Sequence, residues 1–456
     1  MRVSISPSKA RGSVEAPPSK SMAHRLLICA GLASKLEPSI IHGIENSQDI
    51  LATIDCLNVL GAGITQQENA TVVYGIDSTA VQANDVLPCR ECGSTLRFFV
   101  PLCLLFDKPL SLTGSPTLLS RPMGVYQDIC REQGLYFSQN EQGIQVQGPL
   151  RAGAFEVPGN ISSQFISGLL FALPLLQGTS TITLIPPVES RPYIDMTIQA
   201  LSSFGVQVNW ENDTTLTVPG GQRYHNTTLR VEGDYSNAAF FEALNYVGEN
   251  GKNKVQVTGL LEDSLQGDSV YRELFPLLAG TSSADTSASL APASTAATLA
   301  GTSPASFPAS ASASPTSSPA SFPASFLAIS LANCPDLGPV LMAVAAANNG
   351  AVFTHCARLA LKESNRGHAM AQELAKFGIR VAISPDEDTI TVHPGTLCTP
   401  RETLCGHNDH RIVMALAVLA CAVGGTIKGA QAVSKSFPCF FECLSRLGVE
   451  LFIEKE

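Results

Sequence analysis

The sequence predicts a mixed α/β protein of two lobes, and three observations support that expectation. At 456 residues the chain exceeds what one hydrophobic core organises, since compact domains cluster near roughly 100 to 150 residues. A cluster of Gly, Pro, Ser, Asn or Asp leads six times directly into a small-residue and aliphatic run of helical length. Between those runs stand short alternating segments, such as Gly143 to Gln147 and Leu229 to Glu232, which read as strands.

The six helical heads come in order. Pro17 to Ala33 (PPSKSMAHRLLICAGLA), Cys92 to Leu105 (CGSTLRFFVPLCLL) and Gly159 to Leu176 (GNISSQFISGLLFALPLL) open the series. Gly233 to Leu244 (GDYSNAAFFEAL), Cys334 to Ala347 (CPDLGPVLMAVAAA) and Gly406 to Ala422 (GHNDHRIVMALAVLACA) complete it. Measured at Lys20, Gly93, Ser162, Asp234, Asp336 and Asp409, the intervals are 73, 69, 72, 102 and 73 residues. The long interval holds residues 280–326, almost wholly Ala, Ser, Thr, Pro, Gly and Phe, with the heptapeptide PASFPAS at 304 and again at 319. Such composition buries too little apolar area to offset its ordering entropy, so a disordered insert in the fourth unit is expected. Removing about 30 residues from that interval restores the common period. Six units of helix and sheet make two lobes of three.

Composition narrows the function. Hydrophobic residues at 45% and charged ones at 15% are globular proportions. A net charge of −10 excludes non-specific nucleic-acid binding through a basic surface, so any anionic ligand needs a local basic cluster. The longest apolar stretch, Ile412 to Val423, falls short of the about 20 residues that cross a bilayer. Leu26 to Ala33 reads as a helix face and not as a signal-peptide core, because polar and proline-rich residues precede it and Lys35 follows. Thirteen irregularly spaced cysteines suit a reducing compartment. The lone C-x-x-C of Cys89 and Cys92 lacks a second pair, so structural thiols and no metal are expected.

The polar heads carry the functional signal. A helix start presents unpaired N–H groups and a partial positive charge, which suits an anion. Lys20, Arg97 and Arg411 lie within the first turn or so, where a cation opposes the helix dipole, and a bound anion would compensate. The plainer reading is that Ser, Asn and Asp at these places only cap helices.

The segments PPSKSMAHR (17–25), CGSTLR (92–97), SRP (120–122), SSQ (162–164), SRPYIDMT (190–197), CPD (334–336), LKESNR (361–366), NDHR (408–411) and SKSFP (434–438) resemble the 5-enolpyruvylshikimate-3-phosphate synthase family. They follow that family's order and cover nearly the whole chain outside the insert. The resemblance implies transfer of the enolpyruvyl group of phosphoenolpyruvate to the 5-hydroxyl of shikimate 3-phosphate, with release of phosphate. It also implies an inside-out α/β barrel of six βαβαββ repeats, three per lobe. One lobe would comprise residues 1–16 and 230–456, the other 17–229. A cytoplasmic monomer without cofactor, acting on these two small molecules, is expected. Neither nucleic acid nor membrane is expected as a partner.

Residue by residue, the resemblance places Lys20, Ser21, Arg25, Ser162, Ser163, Gln164, Ser190, Tyr193, Asp336 and Lys362 on shikimate 3-phosphate. Lys20, Gly93, Arg97, Arg121, Gln164, Arg366, Arg411 and Lys435 fall on the phosphoenolpyruvate side. In this family the position of Gly93 also lies near bound glyphosate, which competes with phosphoenolpyruvate. Arginine forks match phosphate and carboxylate, whereas lysine is a point charge that can also move a proton. Asp336 matches the acceptor of the 5-hydroxyl proton, Glu363 the carboxylate near the methylene carbon, and Lys20 completes the catalytic set. Read without the resemblance, Asp336 is a plain cap and Lys362, Glu363 and Arg366 a solvated helix face.

Some positions depart from the family pattern. Glu91 and Cys92 precede Gly93 where an asparagine is often found, and Asn365 replaces the usual Asp before Arg366. The insert stands where the family has a strand pair. A sister enzyme acting on UDP-N-acetylglucosamine carries a loop cysteine where Pro116 stands here, and no P-loop motif occurs. The alternative from another class is a non-catalytic phosphometabolite binder, which would gain nothing from Asp336 and Glu363.

Overall fold

The computed structural model describes residues 1–248, 253–280 and 326–455. Nearly all of the expected insert, residues 281–325, lies outside the described residues.

Each predicted head starts a helix: Lys20–Gly31 (α1), Gly93–Cys103 (α2), Ser163–Ala172 (α3), Tyr235–Ala243 (α4), Gly338–Ala347 (α5) and His410–Val423 (α6). Five have a side-chain cap on an orphan N–H, from Ser19, Cys92, Ser162, Asp234 and Asp409. The capping reading therefore holds for those heads. The fifth differs: α5 has no side-chain cap, and Asp336 lies two residues before it in a short 3₁₀ turn.

Six sheets follow one plan. In the sheet of Ala154–Pro158, Ser180–Ile185, Thr215–Val218 and Asn209–Trp210, the first two strands are parallel and the rest antiparallel. The parallel pair brackets α3, because a parallel connection needs a crossover. Four other sheets repeat this four-strand order. The sixth holds two strands, Arg11–Glu15 parallel to Lys254–Thr258, and no hairpin among the described residues completes it. The expected strand at Gly143–Gln147 forms, whereas that at Leu229 to Glu232 is Thr228–Arg230. It ends early because the Glu232 carbonyl turns to accept Ser19 N–H at 2.7 Å.

Buried apolar residues form two separate cores and so a two-lobed α/β fold. One core spans Met22 to Val231; the other joins Val3 to Val14 with Tyr235 to Val449. The chain passes between them twice, side by side, with Pro18 bridged antiparallel to Gly233 and Asp234 N–H on the Pro17 carbonyl at 2.8 Å. Among the described residues no helix is long and apolar enough to cross a membrane.

Candidate active site

All six heads open onto one cleft. Its lining includes Lys20, Ser21 and Arg25 of α1, Gly93, Ser94 and Arg97 of α2, and Ser162, Ser163 and Gln164 at α3. Facing them are Asp234 at α4, Pro335 and Asp336 before α5, and His410 and Arg411 of α6. Arg121, Ser190, Tyr193, Lys362, Glu363 and Arg366 complete the set foreseen from the sequence. Every site residue named from the sequence lines this cleft except Lys435, whose ammonium lies beside it on the Asn408 carbonyl at 2.6 Å.

Asp336, free of capping duty, sits among cations. Lys362 Nζ lies 3.0 Å away, an Arg366 nitrogen 2.8 Å and an Arg411 nitrogen 3.5 Å. Burial alone raises a carboxyl's pKa, yet Lys362, Arg411 and Arg366 outweigh it and hold Asp336 well below the usual carboxylate range. Glu363, part-buried like Asp336, is held well below its ordinary value by Arg366 and Arg121, which outweigh desolvation, with the Arg366 guanidinium at 2.7 Å. The same guanidinium binds Asp409 at 2.8 Å. The bland reading of residues 362–366 as a solvated helix face fails, because Arg366 is 1% exposed and its helix begins only there.

The opposite wall is built by α1 to α3. Burial opposes the Lys20 charge, but Asp49 at 2.8 Å and then Glu363 outweigh it and raise its pKa. Arg25 is fixed by Thr197 Oγ1 at 2.8 Å and the Tyr193 carbonyl at 2.9 Å, and burial brings its pKa down to about 10. Arg97 donates to Gln164 at 2.7 Å, and Gln164 donates on to Ser94 at 2.8 Å. Burial and the neighbouring Arg121 lower Arg97 to about 10. A Cβ on Gly93 would lie 2.5 Å from an Arg121 nitrogen, so glycine here gives room to that guanidinium. The buried Nε atoms of Arg97 and Arg121 have no hydrogen-bond partner among the described residues.

The lining residues Arg358 and Asp49, and Asp268 next to Tyr193, escaped sequence reasoning. Arg358 enters the cleft through an ion pair with Glu189 at 2.5 Å and a hydrogen bond to Ser190 Oγ at 2.8 Å. Asp268 accepts from Tyr193 at 3.0 Å and is pushed up to about 6 by burial and then by Asp336. Asp49 holds Lys20. None stands in a motif whose spacing marks it.

Metal-ligand atoms of His24, Asp49 and Cys92 lie within 4.8 Å of one another. Their chemistry fits a hydrogen-bonded cluster better than an ion. Lys20 already occupies Asp49, burial and then Asp49 push the Cys92 thiol up to about 12, and burial, Lys20 and Arg25 hold His24 well below 6.5.

The sequence matches the profile described as EPSP synthase (3-phosphoshikimate 1-carboxyvinyltransferase) over residues 5–444. The chain belongs to the EPSP synthase family. It is similar to the 3-phosphoshikimate 1-carboxyvinyltransferase of Clostridium beijerinckii, 37% identical and covering 97% of each chain. That of Clostridium kluyveri is 35% identical over 98% of each. Among solved structures, EPSP synthase from Acinetobacter baumannii superposes with a TM-score of 0.73 at 19% identity over 100% of both chains, which shows the shared fold. The members of this family are enolpyruvyl transferases of aromatic amino acid biosynthesis, and this chain has that family's two-lobed architecture.

Proposed function

We propose that the cleft binds shikimate 3-phosphate and phosphoenolpyruvate together and joins them as a 3-phosphoshikimate 1-carboxyvinyltransferase. The observation that carries the reading is the excess of buried cations over carboxylates in the lining, with Nε of Arg97 and Arg121 unpartnered among the described residues. Buried charge is tolerated when an opposite charge and hydrogen bonds meet it. Two small anions, each with a phosphate and a carboxylate, supply both.

Within this reading Lys20, Ser21, Arg25, Ser162, Ser163, Gln164, Ser190, Tyr193 and Lys362 hold shikimate 3-phosphate, and Arg358 adds a cation at Ser190. Gly93, Arg97, Arg121, Arg366, Arg411 and Lys435, with Lys20 and Gln164 shared, hold phosphoenolpyruvate. Asp336, ionised by its cations, takes the 5-hydroxyl proton as that oxygen attacks C2 of phosphoenolpyruvate. Glu363 lies near C3 and, ionised in the free site, passes to it a proton supplied by the Lys20 ammonium, which makes the methylene a methyl group. Glu363 then takes a proton back from that methyl group and returns it to Lys20 as phosphate leaves, whose charge Lys20 and the arginines stabilise. Residues 1–16 with 232–456 form one closing lobe and 17–231 the other, two residues past the expected boundary because Arg230 pairs with His42 and Val231 packs in the first core, and the protein acts as a monomer.

A binder without catalysis would need no Asp336 and Glu363 among its cations. Phosphate release from shikimate 3-phosphate plus phosphoenolpyruvate decides between them: tight binding of both with no release would end the enzyme reading. Asp336→Ala should slow turnover by about 10²- to 10⁴-fold, the usual weight of a general base, with a far smaller loss of ligand affinity.

A further inference from the structure

The turn before α2 is fixed from behind. Arg90 adopts a left-handed backbone, φ 52°, and its guanidinium binds Asp55 at 2.6 Å and Gln48 at 2.6 Å. Ser115 N–H closes on the Arg90 carbonyl at 2.7 Å, so residue 91 is displayed on an anchored backbone. Across the cleft His407 and Asn408 also have positive φ, 48° and 52°, a conformation that needs surrounding support.

Glu91 joins the two. Its carboxylate forms an ion pair with the Lys435 ammonium and accepts from Asn408 Nδ2 at 3.2 Å, while Lys435 Nζ donates to the Asn408 carbonyl at 2.6 Å. An ammonium has three donors, and two are committed here. Gly93 and His410 line the cleft two residues beyond Glu91 and Asn408, yet Lys435 itself is outside that lining.

We propose that Glu91 is a specificity-determining, positioning residue that holds the Lys435 ammonium just outside the cleft and releases it only to a ligand charged densely enough to compete. The proposal rests on reading Lys435 as a phosphoenolpyruvate contact. A carboxylate at this place acts twice in one direction: it occupies a donor, and it repels the arriving anion. An anion with both phosphate and carboxylate overcomes that hold more readily than one with a single charged group.

Steady-state kinetics of Glu91→Gln test this, because glutamine keeps the reach and the hydrogen bonds but loses the charge. Its KM for phosphoenolpyruvate should fall about two- to fivefold, the span of a part-exposed ion pair, with kcat and the KM for shikimate 3-phosphate within about twofold. Competitive inhibition by inorganic phosphate should tighten by at least that factor. Glu91→Asp, which restores the charge, should return KM toward the original value. An unchanged or higher KM for phosphoenolpyruvate in Glu91→Gln overturns the proposal. Lys435→Met separates the two readings. Made alone it should raise that KM, and made with Glu91→Gln it should abolish the gain. If Lys435→Met alone has no effect, the assignment of Lys435 fails. If it does raise KM while Glu91→Gln gives no gain, the role of Glu91 alone fails.

Discussion

Arg366 reaches Asp336 at 2.8 Å with one nitrogen while its other two bind Glu363 at 2.7 Å and Asp409 at 2.8 Å. One planar, buried guanidinium thus sets the spacing of the two carboxylates assigned to proton transfer. A lysine has the charge but not the fork. Arg366→Lys can therefore meet only part of the trio, whereas Arg366→Met removes the charge and should cost about 3 to 5 kcal/mol of unfolding free energy, as expected when a buried ion pair loses its partner. Urea denaturation checks the loss, and a stability change within error would show that the three contacts are not simultaneous.

The substitution Gly93→Ala tests geometry without touching charge. The added Cβ meets the far end of Arg121, which can swing aside, so the fold should tolerate it. The expected outcome is an unchanged melting temperature with a raised KM for phosphoenolpyruvate. A lowered melting temperature at constant KM would show that the strain falls on the backbone instead.

Lys20 offers a pH test. Burial works against its charge, but Asp49 and Glu363 together outweigh burial, so its pKa lies above the ordinary 10.5. A raised amine keeps its contribution below that value and loses it as pH climbs through it. Asp49→Asn removes the largest supporting charge, and the alkaline limb of the kcat/KM profile should move to lower pH. An alkaline limb that stays in place would assign it to another group.

Stability should respond to acid through opposing groups. Asp336 and Glu363 are held low in the folded protein, so their support is full above about pH 4 to 5 and lost as pH falls through their folded values. Asp268, pushed up to about 6 by burial and Asp336, binds its proton more tightly when folded. Its effect is a loss of stability as pH rises from about 4 through about 6. Asp268→Asn should abolish that decline and raise the melting temperature at pH 7.5 relative to pH 5. Parallel pH profiles for the two proteins would refute the assignment.

What the sequence disclosed was mostly local. Ser19, Ser162, Asp234 and Asp409 announce helix starts because capping depends on neighbours two or three residues away, and the repeat then places the heads in series. Asp336 was ambiguous for the same reason: the pattern that marks a cap also fits a residue that caps nothing. Arg358, Asp49 and Asp268 were illegible because their meaning lies in partners distant along the chain, Ser190, Lys20 and Tyr193. Glu91 was visible as a departure, but its pairing with Lys435 depends on the approach of two lobes. The sheet of Arg11–Glu15 has two strands among the described residues, and the low-complexity stretch, whose boundaries composition alone marks, lies almost wholly outside them.

The strand Arg2–Ile5 pairs on one side with Gly425–Lys428 and on the other with Leu451–Glu454. Both partners are synthesised after every residue of the core from Met22 to Val231 has been made. Assembly is thus ordered: the inserted half can settle while its host waits, and a strand made before that half is seated only after it.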